Sequence, residues 1–302
     1  MPLPRALAQW KSRAKLLRNR LSTWYASRFL RFTPEDLRAR LEALGVRPGD
    51  TLIVHSAYSH FQGFTGNPLD VIRLLQDLLG PEGTLLMPNQ PFPGSALDWA
   101  ASGAVWDQRR TPAATGLLPE YFRRLPGVVR SLHPTHSVAG WGRRVPELFK
   151  DHLLAKTPCG AGSPYLRLLD CNGKILHLGS SFRTTTFLHG VEELLEPVMP
   201  RSALTAETYR LPARDLHGVE HTAECRLYEA EMSHARDVDR LRPELVRRGQ
   251  WRETRISRLT LLLLDANELW LVARDLAARG VFFYDFRMLK VPPQVKMPAA
   301  HE

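Results

Sequence analysis

Residues 184–192 read Thr184-Thr185-Thr186-Phe187-Leu188-His189-Gly190-Val191-Glu192. His189 and Glu192 stand three apart, so on a helix they share one face. A carboxylate beside an imidazole raises its basicity and fixes its orientation. Such a pair suits a general base that takes a proton from an amine nucleophile. The three threonines sit near the expected helix start, where hydroxyls and free amides cluster. Those groups could hold the oxyanion of an acyl-transfer intermediate. The same spacing also describes an ordinary surface pair on any helix.

Three further segments carry titratable side chains. In residues 130–138, His133 and His136 flank Pro134-Thr135. Each is a candidate proton acceptor near neutral pH or a buried histidine bonded to a carbonyl. In residues 54–59, Val54-His55-Ser56-Ala57-Tyr58-Ser59 ends an apolar run. Ligands of open α/β sheets bind at the carboxyl ends of strands, so this exit is a candidate cofactor contact. The third segment holds His217, Glu220, His221, Glu224 and Cys225. On a helix these would share one side, and His217 with His221 would have zinc-pair spacing. One of the acids, Glu224, is the alternative reading as a substrate contact. Cys159, in Thr157-Pro158-Cys159-Gly160, has no neighbour that marks a lowered-pKa thiol and reads as loop structure.

The elements that must position these groups alternate. Thr33-Pro34-Glu35-Asp36 starts a helix that runs to Leu44 and stops at Gly45. A strand follows over residues 51–54, a helix from Asn67-Pro68 to Leu79, and a strand over 84–87. Residues 88–116 read as a long loop rich in proline, which is more often functional than idle. A helix is predicted at 117–124, a strand at 175–179, the helix of His189 at 187–195, a strand at 257–264 and a helix at 266–279. The alternation predicts an α/β layer architecture. We expect a basic arm over residues 1–32 and one domain over 33–302.

The 302 residues carry 41 Lys and Arg against 31 Asp and Glu, a net charge of +10. Residues 1–32 contain eight basic residues and no acid, which leaves +2 for the remainder. Within the arm, Leu3, Leu7, Trp10, Ala14, Leu17, Leu21 and Trp24 recur at helical spacing. A basic amphipathic helix of this kind can lie on an anionic membrane surface. It can equally pack on its own domain or on a partner subunit, including a second copy. A nucleic-acid arm lacks an accompanying reader fold, and early prolines disfavour a transit peptide. Hydrophobic residues at 44% and charged residues at 24% exclude a disordered acidic chain. The odd count of three cysteines fits a reducing compartment, so the expected location is cytoplasmic, at the inner membrane face if the arm seats there. The start lacks the apolar region of a secretory signal, and no apolar run reaches spanning length.

Taken together, these segments resemble the aminoglycoside 3-N-acetyltransferase family, also called the antibiotic N-acetyltransferase family, over about residues 32–280. The most specific stretch is residues 111–142, TPAATGLLPEYFRRLPGVVRSLHPTHSVAGWG. It is similar to the family's TPS-MG-LPE-FR--PG--RS-HPTHSVAA-G pattern. VHSAYS, GPEGTLLMP, TPCGAGSPYLRL, the LHxxE of His189 and Glu192, and DANELWLVARDLAARG add to the match. The resemblance implies a three-layer α/β/α fold with a mixed central sheet. It implies acetyl-CoA as acyl donor, a primary amine on an amino sugar as acceptor, and direct transfer without metal or acyl-enzyme.

Carried over by position, His189 would be the base with Glu192 beside it, and Thr186 would polarise the thioester. His55, Ser56 and Ala57 would lie along the pantetheine arm, with Ser59 and Thr111 as further cofactor contacts. His133 and His136 would line the cleft, and His136 would be the alternative base. One departure concerns the position six before the histidine, often Asp or Asn in antibiotic-modifying members and here Arg183. The next position of interest in the family, often Asn, is Thr185 here. A desolvated cation at the acceptor would repel a polycationic aminoglycoside by roughly a few kcal/mol. This points to a neutral or anionic amine, such as a nucleotide-linked or cell-surface amino sugar. Two other readings are a non-catalytic CoA- or sugar-binding relative and a zinc hydrolase built on His217 and His221.

Overall fold

The computed structural model describes residues 24, 25 and 28–289. Its first long helix, α1 (Pro34–Leu44), begins where the sequence predicts. Thr33 Oγ1 accepts from the Asp36 amide at 3.2 Å, and the Asp36 carboxylate accepts from the Thr33 amide at 2.8 Å. Gly45, at φ 112°, closes it with two backbone bonds. Helix α2 (Pro68–Leu79) repeats the device with Asn67 and Asp70.

Seven strands form the main sheet: β1 (Thr51–Ser56), β2 (Thr84–Pro88), β4 (Val129–Arg130), β5 (Val138–Gly142), β6 (Lys174–Leu178), β9 (Arg252–Ile256) and β10 (Leu259–Asp265). Their spatial order is β4-β5-β2-β1-β6-β10-β9. The central β1 pairs in parallel with both β2 and β6, and the outer pairings are antiparallel. The parallel strands are buried along nearly their whole length, as strands covered on both faces must be. A smaller sheet has the order β3-β7-β8, from β3 (Trp106–Asp107), β7 (Tyr209–Arg214) and β8 (Glu220–Cys225).

Alternate side chains of the main sheet feed two separate cores. Ile53, Leu86, Ile175 and Leu264 face one side with the helices α6 (Phe187–Leu195) and α9 (Ala266–Ala277). Leu52, Val54, Leu85, Leu176 and Leu263 face the other side with α1, α2 and α4 (Leu117–Phe122). The result is the three-layer α/β/α arrangement around a mixed sheet. Burying one such leucine stabilises the fold by about 1.5–3 kcal/mol before entropy is counted.

The structure corrects several expectations. Residues 217–225 are not helical. Gly218 turns at φ 85°, and β8 alternates exposed Glu220, Thr222 and Glu224 with buried Ala223 and Cys225. The period is two, so His217 and His221 do not share a helical face. His221 Nε2 instead bonds Asp215 Oδ2 at 2.9 Å. Among the described residues, no group of three His, Cys, Asp or Glu is placed to hold a metal. The proline-rich stretch over 88–116 contains α3 (Ala96–Ala101), capped by Ser95, as well as β3. Strand β10 starts two residues later than predicted because Ser257, at φ 53°, lies in the turn from β9. Most of the arm, including Leu3 to Leu21, lies outside the described residues, whereas Trp24 and Phe29 are exposed. No helix among the described residues is long and apolar enough to cross a membrane.

Candidate active site

The carboxyl ends of β1, β2 and β6 open toward the start of α6. The β1–β6 register sets His55 beside His177, and their rings stack at 5.0 Å and 15°. From β6 the chain turns at Gly179, φ 71°, and runs through the short helical turn Phe182–Thr184 into α6. Gly190 lets this helix lie against the neighbouring loop, because a Cβ there would meet the Cys159 carbonyl oxygen at 2.7 Å.

On α6, His189 Nδ1 lies 2.9 Å from Glu192 Oε2. The other carboxylate oxygen, Oε1, accepts from Arg236 Nε at 2.6 Å. Glu192 is 2% exposed. A carboxylate can only accept, so Nδ1 carries the proton of the neutral imidazole and Nε2 presents its lone pair. Burial lowers the His189 pKa, and Glu192 opposes that shift. Burial would raise Glu192, but Arg236 and His189 outweigh it and hold the carboxyl at about 2. The pair is therefore a neutral imidazole braced by a fixed negative charge. The Tyr228 ring stacks on His189 at 4.1 Å and 29°. Tyr228 OH donates to Glu193 Oε1 at 2.7 Å, which fixes the plane of that ring.

Two cavities meet here. The larger, of about 470 Å³, is bounded by His136, Arg183, Thr186, His189, Tyr228 and Arg236, among others. The second, of about 370 Å³, runs past His55, Ser56, Ala57, Thr115 and Ser180. Gln90, Phe92, Pro93, Thr184 and Thr186 line both. Buried His55 Nε2 and Ser56 Oγ have no partner in the structure, and both residues line the second cavity. Burial holds His55 at about 4, so its imidazole is neutral near pH 7.

Most of the sequence-predicted residues converge, and some do not. His189, Glu192, Thr186, His136 and Arg183 gather at the larger cavity, with Glu192 behind His189. His55, Ser56 and Ala57 gather at the second. His133 does not line either cavity. It is fully buried, its Nδ1 accepts from the amides of Thr135 at 3.3 Å and His136 at 3.2 Å, and its ring stacks on His152 at 4.5 Å. Thr111 Oγ1 accepts from the Asp107 amide at 2.8 Å away from both cavities, where Thr115 stands instead. Ser59 is exposed, and neither cavity includes it. Glu224 lies on the small sheet, paired with Arg210 at 3.1 Å, outside both cavities.

Arg183 is not a bare cation. Its side chain is 64% exposed and pairs with Asp239 at 2.7 Å and Asp237 at 3.8 Å. The repulsion expected of a desolvated charge does not apply to it. Arg236, Tyr228, Gln90 and Phe92 were not singled out from the sequence. Arg236 lies 44 positions beyond Glu192, and no local pattern marks it.

The profile of the aminoglycoside 3-N-acetyltransferase family matches residues 53–278. Aminoglycoside N(3)-acetyltransferase VII of Streptomyces paromomycinus is 37% identical over 169 residues, which are 52% of this chain and 58% of that protein. The match thus spans less than two thirds of that relative. The solved structure of aminoglycoside acetyltransferase AAC(3)-Xa superposes with a TM-score of 0.68 at 29% identity, over 83% of this chain and 94% of that one. AAC-IIIb, solved as a binary complex with CoASH, superposes with a TM-score of 0.68 at 24% identity, over 84% and 99% of the two chains. The likeness to AAC-IIIb bears on the fold alone. With three quarters of its length matched by the profile, the chain belongs to the aminoglycoside 3-N-acetyltransferase family.

Proposed function

We propose that the protein transfers an acetyl group from acetyl-CoA to a primary amine on an amino sugar, with His189 as general base. One observation carries the reading. Two cavities meet at Thr186 and Phe92, and His189 faces the larger of them with its Nδ1 locked by Glu192. The second cavity fits the pantetheine arm, whose amides would find the unpartnered His55 Nε2 and Ser56 Oγ. Membership of the family whose profile matches residues 53–278 is consistent with acetyl-CoA as the donor. Acetyl-CoA, when bound, supplies an activated acetyl thioester.

The residues then act in sequence. Tyr228 and Glu192 hold the imidazole in one orientation. His189 Nε2 takes a proton from the attacking amine, while the N–C bond forms and the C–S bond breaks. The Glu192 carboxylate stabilises the imidazolium, which returns its proton to the departing sulfur. Thr186, at the N-terminal end of α6, would bond the carbonyl oxygen as it gains negative charge. His136, whose pKa burial lowers well below the usual histidine range, contributes a neutral wall 6.2 Å from His189 between ring centres. No metal and no acyl-enzyme enter this route.

The test is release of CoA thiol from acetyl-CoA in the presence of amino sugars, with the acetylated amine identified by mass spectrometry. Initial rates at varied concentrations of both substrates should give intersecting lines, as a ternary complex requires. Parallel lines with an acetylated protein intermediate would overturn direct transfer. Absence of amine-dependent thiol release with any of the amino sugars tested would overturn the reaction itself.

A further inference from the structure

The larger cavity has an unusual charge inventory for a site that would receive a polycation. This inference rests on its reading as the amine site. Its titratable lining is His136, Arg183, His189, Tyr228, His234 and Arg236, and among the described residues no Asp or Glu lines it. The acids around its walls are engaged. Glu192 is held by His189 and Arg236, Asp239 and Asp237 face Arg183, and Glu231 pairs with Arg201 at 2.9 Å. His234 Nδ1 donates to the Ala230 carbonyl at 2.7 Å.

The remaining walls suit a sugar. Gln90, Thr184 and Ser233 offer amide and hydroxyl groups, and Phe92 and Tyr228 offer ring faces. Hydroxyls of a pyranose can bond the first set, and its apolar face can lie on the second. An ammonium taken from water into such a site needs a carboxylate partner, and no lining residue supplies one. The reacting amine escapes this cost because it must be neutral to attack. Each further ammonium would not.

We propose that the acceptor carries a single ammonium-forming nitrogen, its other substituents being neutral or anionic. Arg183, which lines this cavity while paired with Asp239, tolerates an anionic substituent.

The experiment compares glucosamine, glucosamine 6-phosphate and gentamicin on the CoA-loaded full chain by calorimetry, and with acetyl-CoA by thiol release. Either monoamine should bind at least about tenfold more tightly than gentamicin, roughly the worth of one missing charged hydrogen bond. The kcat/KM order should agree. Ser233→Asp places a carboxylate on the exposed wall of the cavity, and should raise the ratio of gentamicin to glucosamine affinity by about tenfold. Arg183→Asp, at a second position, should move the ratio in the same direction. Gentamicin bound as tightly as the monoamines, or more tightly, overturns the inference. The binding order decides it even if no thiol is released, and that second result would count against the transfer reaction alone.

Discussion

Glu192→Gln removes one charge from the site and keeps the side-chain shape. In the native protein the carboxylate accepts from His189 Nδ1 at 2.9 Å and from Arg236 Nε at 2.6 Å. As the amine gives up its proton, the imidazole becomes a cation beside that charge. Two unit charges about 4 Å apart attract by roughly 4 kcal/mol at an effective dielectric of about 20. At about 1.4 kcal/mol per tenfold, kcat should fall by two to three powers of ten. Arg236 then lacks its counter-charge and adds repulsion to the imidazolium. The acid limb of the kcat/KM profile should also move. Burial already lowers His189, Glu192 opposes that shift, and its neutralisation should take the limb to lower pH. The assay is thiol release across pH 5–9, about the range in which histidine titrates, with folding checked by thermal melting. A kcat within about threefold of the native value, with the limb in place, would refute the reasoning and reduce Glu192 to a brace.

Other outcomes follow from the same structure. His55→Ala and Ser56→Ala should each raise KM for acetyl-CoA about three- to tenfold by removing a partner worth roughly 1 kcal/mol, measured by initial rates at saturating amine. Leu263→Ala, fully buried in the layer remote from His189, should cost about 2–5 kcal/mol in urea unfolding and leave kcat near native. Burial pushes the Glu193 carboxyl up from 4.5 to about 7. A group whose folded pKa is raised stabilises the fold fully below its unfolded value and loses that contribution as pH rises through the folded value. The Tm of the native protein minus that of Glu193→Gln should therefore fall from pH 4.5 to 7. A signed difference that rises over that window would contradict the burial of the protonated acid.

The legible parts of this protein are local. Thr33 with Asp36 and Asn67 with Asp70 are reciprocal caps within one turn, so the sequence shows both helix starts. His189 and Glu192 meet because three residues of helix bring them together, whatever the rest of the chain does. The partners brought in by tertiary packing carry no such mark. Arg236 reaches Glu192 from a loop after α7 (Ala230–Ala235), and Tyr228 reaches His189 from beyond the small sheet. The hairpin of β7 and β8 shows the opposite failure. Its His217 to His221 spacing satisfies a helical pattern, but Asp215 and Gly218 form the turn that makes the chain alternate instead. The expectation that His133 lines the cleft rests on its closeness to His136, yet its ring is buried, caps the Thr135 and His136 amides and stacks on His152.

The most direct measurement is the rate of CoA thiol release by the native protein and by His189→Ala, at saturating acetyl-CoA and amine, with both proteins shown to be folded. Loss of the base should lower kcat by roughly a hundredfold or more while CoA still binds. A near-normal rate from His189→Ala, abolished instead by His136→Ala, would contradict the account and move the base to His136.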